Sequence, residues 1–185
     1  DISVSCLIFF DPGWKTMTKL LMNDDLNRRL VVILQQEGRI SHAELAERLG
    51  VSRPTVIDRV KRLEAEGIIQ GYSARVSPAS VQKPNVCFVA VRHRTGDDDA
   101  LEREFLKALQ DEPDVLEAYT VAGEDCLMLK IVADTPTGVH DRLKRIRSLA
   151  DQVTTRTTFV LRTHFVKPGP NPFPFELQAS QRRKG

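Results

Sequence analysis

Four side chains stand at spacings that suit contact with a double helix: Arg53, Thr55, Arg59 and Arg62. The guanidinium of an arginine pairs bidentately with guanine O6 and N7, and a threonine meets a thymine methyl or a phosphate. Early in a helix, Arg53 and Thr55 suit base edges; further along, Arg59 and Arg62 suit the phosphate backbone. Ser41 and Ser52 occupy helix N-cap positions, where unsatisfied N–H groups are offered to phosphate. A solvated basic face in a protein–protein module is the competing reading, and Asp58, Glu64 and Glu66 temper the charge of this one.

A second constellation lies at Gly123-Glu124-Asp125. A carboxylate at Asp125 suits the ammonium of a free amino acid, and backbone N–H groups around Gly123 suit its carboxylate. Thr155 and Thr157 are candidates to line the same crevice. The same three turn residues suffice for a plain hairpin connection, and threonine is good strand material. Both readings stand on the residues alone.

The elements needed to position these groups are legible. Asn23-Asp24-Asp25 suits a helix start, Leu26, Leu30, Ile33 and Leu34 recur at helical spacing, and Gly38 stops the run. Ser41 and Glu44 have the spacing of a capping box, Leu45, Ala46 and Leu49 form an inner face, and Gly50 supplies the left-handed stop. Ser52 caps a third helix with the seam Val56, Val60 and Leu63, closed by Gly67. Two short helices joined by the Gly50-Val51-Ser52 turn make a helix-turn-helix, the unit that lays its second helix in a DNA major groove. Residues 69–76 read as a strand whose partner is a wing or a strand elsewhere.

Residues 77–84 hold two prolines and read as a hinge. Beyond it the pattern is strand (86–91), helix (seam Leu101, Phe105, Ala108 and Leu109), strand (115–122), strand (126–133), helix (seam Val139, Leu143, Ile146 and Ala150) and strand (153–165). Asp97-Asp98-Asp99 opens the first of these helices, and Thr135 caps the second with Pro136 at its first position. That order is a ferredoxin-like βαββαβ domain. The sheet face away from the helices is expected to be apolar, through Cys87, Val89, Val91, Val121 and Leu129, and so to pack on a second copy. The fold class is therefore α+β: a winged helix-turn-helix domain (22–76), a hinge (77–84) and an effector-binding and dimerisation domain (85–167). Residues 1–21 read as an extension ahead of a natural start at Met22, against an extra strand at 7–10. Residues 168–185 read as a Pro-rich tail with a basic end; a flexible tail competes there with one that docks through Phe173 and Phe175 or touches DNA.

The bulk figures exclude several classes. With 185 residues, 41% hydrophobic and 28% charged, the chain has an ordinary globular composition. A formal net charge of +2 is too mild to indicate nucleic-acid binding by itself, so any positive patch is local. Cys6, Cys87 and Cys126 are unpaired by spacing, which points away from a disulfide framework or a zinc site and toward a reducing cytoplasm. No apolar run is long enough for a membrane helix, and residues 4–10 lack the flanks of a secretory signal. There is no nucleophile elbow, phosphate-cradling glycine loop or metal-spaced histidine set; His42, His93, His140 and His164 are scattered and read as surface residues. No enzyme, no metal and no cofactor is expected.

The strings Asn23-Asp24-Asp25-Leu26-Asn27-Arg28-Arg29-Leu30, Glu44-Leu45-Ala46-Glu47-Arg48-Leu49-Gly50-Val51-Ser52 and Arg59-Val60-Lys61-Arg62-Leu63-Glu64-Ala65-Glu66-Gly67-Ile68-Ile69 resemble the Lrp/AsnC (feast/famine) transcription regulators. The second half resembles their effector domain, with Val121-Ala122-Gly123-Glu124-Asp125 like its ligand-associated turn and residues 155–161 like its last strand. The resemblance covers about residues 23–167. It implies a dimer, often built into octamers, that binds pseudo-palindromic double-stranded DNA, located in the cytoplasm on the nucleoid. It also implies amino-acid effectors bound between dimers, with Gly123 and Asp125 as the positions carried over, Glu124 between them. Cys126 departs from the aromatic residue common after that aspartate. Two further readings remain: an architectural DNA-binding protein with little sequence preference, and a small-molecule-binding oligomer without specific DNA binding.

Overall fold

The computed structural model describes residues 21–93 and 99–173. Of these, residues 75–93 and 99–164 form one compact unit, and residues 21–74 together with 165–173 form another. The expected N-terminal extension apart from Leu21, its alternative strand at 7–10, Asp97 and Asp98 at the helix start, Phe175 and the basic end all lie outside the described residues.

Among the described residues, the first unit in chain order, 21–74 with 165–173, carries the helices α1 (Asp25–Gln36), α2 (His42–Leu49) and α3 (Arg53–Ala65). Each begins on a side-chain cap: Asp24 accepts from the Leu26 N–H, Ser41 from Glu44 and Ser52 from Thr55. Gly50, at φ 69°, ends α2 in the left-handed region, where a Cβ would be strained. The apolar seams converge on one core of Leu30, Val31, Leu45, Ala46, Leu49, Val56, Val60 and Leu63. The capping box is half made. Ser41 Oγ takes the Glu44 N–H at 3.2 Å, but the Glu44 carboxylate accepts from Arg48 instead, at 2.8 Å.

Residues 70–76 form no strand. They run exposed, with Tyr72 and Val76 open to solvent and no ladder partner among the described residues. The strand pattern is present, but a lone strand has nothing to pair with in a single chain. The hinge folds on itself as a 3₁₀ turn at Ala79–Val81 and ends on Gln82 at φ 59°.

The second unit contains β1 (Asn85–Arg92), α4 (Asp99–Asp111), β2 (Val115–Thr120), β3 (Leu127–Ala133), α5 (Pro136–Ser148) and β4 (Thr154–Phe159). The four strands are antiparallel in the order β2-β3-β1-β4, the ferredoxin-like arrangement. Thr135 caps α5 through the Gly138 N–H at 2.9 Å. The last strand is shorter than its Thr-rich sequence suggests. Phe159 pairs with Cys87 and the Val160 N–H reaches Val86 O; β1 then runs out at Pro84, and β4 has no further partner among the described residues.

The two sheet faces require a correction. Cys87, Val89, Val91 and Leu129 are fully buried in the core with Phe105, Leu109, Val139 and Ile146, so they belong to the helix-covered face. Period-2 alternation puts Phe88, Ala90, Met128, Lys130, Glu117, Tyr119 and Arg156 on the other face, as their register pairings show. That face is mixed. Phe88 and Tyr119 are exposed, and between them Lys130 pairs with Glu117 at 2.7 Å. Leu101, expected in the α4 seam, is also exposed. His93, expected at the surface, is buried against the Phe105 ring at a centroid distance of 5.2 Å.

Candidate nucleic-acid interface and effector turn

The residues of α3 divide by what already holds them. Arg53, in the first turn, is exposed and has no side-chain partner among the described residues. Ser52 Oγ and Thr55 Oγ1 lie 2.7 Å apart, so the Thr55 hydroxyl is anchored at the helix start. Arg62 pairs with Asp58 one turn earlier at 3.2 Å, both well exposed. An exposed pair of that kind is weak and exchangeable.

Arg59 is held differently. Its Nη1 donates to Asp24 Oδ2 and, at 2.9 Å, to Asn27 Oδ1. Asn27 is itself buried and donates to Leu21 O at 2.8 Å. The Arg59 hydrogen bond holds the Asp24 carboxyl below its usual range, outweighing the effect of burial. Asp24 thus serves two elements at once, as the α1 cap and as the acceptor for α3. The expected phosphate-contacting residue therefore sits in a clamp between the first and third helices. Around it lies a cleft of about 320 Å³ lined by Leu21, Asp24, Asn27, Thr55, Asp58, Arg59 and Arg62.

The Gly123-Glu124-Asp125 turn joins β2 to β3. Gly123 has φ 151°, and the connection is closed by the Val121 N–H on Cys126 O and the Cys126 N–H on Val91 O. Arg92 Nε donates to Glu124 O at 2.8 Å. Asp125 is mostly covered, yet its Oδ2 accepts from Arg156 Nη2 at 2.8 Å, and that arginine is 74% exposed. Thr155 is directed elsewhere, its Oγ1 accepting from Arg147 at 3.0 Å. The turn is brought to Arg92 and Arg156 rather than to Thr155. Neither arginine was identified from the sequence; Arg92 ends β1 and Arg156 lies within β4, with no motif around either.

A third ionic cluster, also unread in the sequence, fastens the hinge to its own unit. Asp114 is buried and accepts from Lys83 and, at 2.7 Å, from Arg142. Burial opposes its ionisation, but the two cations prevail and hold its carboxyl below the usual range. Cys87 is a core thiol whose ionisation burial suppresses. Among the described residues no cluster of metal-ligating side chains occurs, and no helix is long and apolar enough to cross a membrane.

Two family models match successive parts of the chain. Residues 23–70 match the family described as "Winged helix-turn-helix DNA-binding", and residues 86–170 that described as "Lrp/AsnC ligand binding domain". The HTH-type transcriptional regulator LrpA of Mycobacterium tuberculosis is 39% identical over 77% of this chain and 92% of its own length. The leucine-responsive regulatory protein of Rhizobium meliloti is 32% identical, covering 75% and 89%. Among solved structures, a feast or famine regulatory protein from M. tuberculosis complexed with L-methionine superposes with a TM-score of 0.73. It is 36% identical, and the match covers 80% of this chain and 99% of that one.

Proposed function

Since the chain belongs to the Lrp/AsnC family of transcriptional regulators, we propose that two copies read a pseudo-palindromic DNA site through α3 and that an amino acid modulates them. Arg53 carries the reading. It is the arginine of α3 that, among the described residues, no carboxylate neutralises, and it stands at the N-terminal end of the helix, where base edges are met. Ser41, Ser52 and Thr55 set the two helix ends against phosphate, Arg62 exchanges Asp58 for phosphate, and Arg59 holds the unit's shape. Pairing two copies fixes the half-site spacing that a single recognition helix cannot supply. Exposed Phe88 and Tyr119 support the open sheet face as the surface that pairs.

The effector reading follows from charge exchange. An amino acid is a zwitterion, and the Asp125–Arg156 pair offers one group for each of its charges. Its ammonium takes Asp125 and its carboxylate takes Arg156, with the Gly123 turn beside them. The relative that holds L-methionine names the first amino acid to try.

The test is titration of a specific and a scrambled duplex at two salt concentrations. Arg53→Ala is expected to lose roughly tenfold or more in discrimination, the value of one bidentate base contact. Equal binding of both duplexes by the unaltered chain replaces this reading with an architectural one. Absence of binding at low salt leaves a ligand-binding oligomer. The effector is tested by thermal shift with L-methionine and the other amino acids; absence of any shift makes the turn structural.

A further inference from the structure

The C-terminal segment carries a second feature. Pro168-Gly169-Pro170-Asn171-Pro172-Phe173 can neither extend a ladder nor form a helix, and its prolines leave little chain entropy to lose on docking. This segment lies on α1. Gln35 Nε2 donates to Pro170 O at 2.9 Å. Gly169 passes so close that a Cβ there would stand 2.7 Å from the same nitrogen. Asn171 Oδ1 accepts the Phe173 N–H at 3.0 Å in a local turn. Phe173 is half-buried and, with Asp25, Arg29, Val32 and Ile33, lines a recess of about 280 Å³. Asp25, Arg29 and Val32 form a stripe along α1 apart from Leu30 and Val31, which face the core, and Ile33 borders both. Upstream, Leu161 and Phe165 stand in solvent, so the segment is anchored near its far end.

We propose that residues 168–173 are a strap whose docking groove is the outer face of α1, and that the strap is a second tether on the DNA-binding unit. Among the described residues the chain passes from one compact unit to the other twice, after Ala74 and after His164. With the strap docked, the helix-turn-helix is held through both passages; with it released, through the hinge side alone. A tether raises the effective concentration of the geometries it permits and depletes the others. The helix it grips also carries Asp24, the acceptor for Arg59 of α3, so the strap bears on the recognition helix through one rigid element. Docking therefore narrows the range of half-site spacings that a dimer accepts. This consequence rests on the DNA-binding dimer proposed above; the docking itself does not.

The test uses the full chain with Phe173→Ser, and with Gln35→Ala as a second variant that leaves every core residue in place. Truncation is avoided because it would also remove the basic end at Arg182, Arg183 and Lys184. Hydrogen exchange is followed in residues 165–173 and in α1, and binding is measured on duplexes whose half-sites differ in separation. Both variants are expected to speed exchange in the strap, Phe173→Ser by roughly tenfold, because exchange follows the population of the open form. Phe173→Ser is also expected to flatten the preference among separations several-fold. Unchanged exchange in both variants overturns the docking. Faster exchange with an unchanged separation preference overturns the tether. If the unaltered chain binds no duplex, the DNA reading fails, and the exchange result still decides the docking.

Discussion

The two candidate sites each hold an arginine against an aspartate, and the surroundings set them apart. In the DNA-binding unit, Arg59 serves Asp24 and a buried Asn27 together, and the whole group is partly shielded from water. In the effector unit, Arg156 reaches, among the described residues, Asp125 alone from a largely solvated position. The first arrangement loses several matched hydrogen bonds if either end is removed, and leaves a buried amide oxygen short of its donor. The second gives up one pair that water or a ligand readily replaces. A shared charge pattern thus yields a fixed clamp in one place and an exchangeable pair in the other.

The largest effect that tests this contrast is the loss of the clamp. Arg59→Ala is expected to destabilise the DNA-binding unit by about 2 kcal/mol, seen in urea unfolding. A cost near zero would return Arg59 to the role of a free phosphate contact. Salt dependence separates the same alternatives. Arg62→Ala should lower the slope of log K against log salt by about 1 per copy, while Arg59→Ala leaves it unchanged.

A smaller effect comes from the cap beside the clamp. Ser52→Ala removes the acceptor for the Thr55 N–H and its contact with the Thr55 hydroxyl, and is expected to cost about 1 kcal/mol. Differential melting of the first unit checks it.

The clamp also leaves a pH signature. The Asp24 carboxyl in the folded chain lies below its ordinary value of 3.8, so the folded state binds fewer protons there than the unfolded one. Its contribution is complete above that ordinary value and is lost as pH falls through the lower folded one. Stability of the DNA-binding unit should therefore decline on acidification below about pH 4, and Asp24→Asn should remove that part of the decline. An identical acid limb in the variant would detach Asp24 from the clamp.

The smallest effect on stability belongs to the exchangeable pair. Arg156→Ala should change unfolding by less than about 0.5 kcal/mol while abolishing the thermal shift produced by an amino acid. A large stability loss would make it a second clamp and erase the contrast.

Much of the architecture was legible because it is local. Ser41, Ser52 and Thr135 cap helices through contacts three residues away. The seams Val56-Val60-Leu63 and Val139-Leu143-Ile146 announce themselves by helical spacing. The errors came where a partner was needed. Residues 70–76 have strand character without a strand to join, and β4 stops where β1 ends. The two sheet faces were confused because alternation identifies two sets of residues but not which set the helices cover.

The sequence by itself determined the caps, the helical seams, the tight turn between α2 and α3, and the order of strands and helices, since each is written within a few neighbouring residues. The tertiary structure decided which charges are spent and which remain available. Arg59 meets Asp24 across 35 positions, Arg156 meets Asp125 across 31, and Lys83 meets Asp114 across 31. Arginine and lysine are long, flexible and solvated in the unfolded chain, so nothing local marks their partners; packing alone selects them.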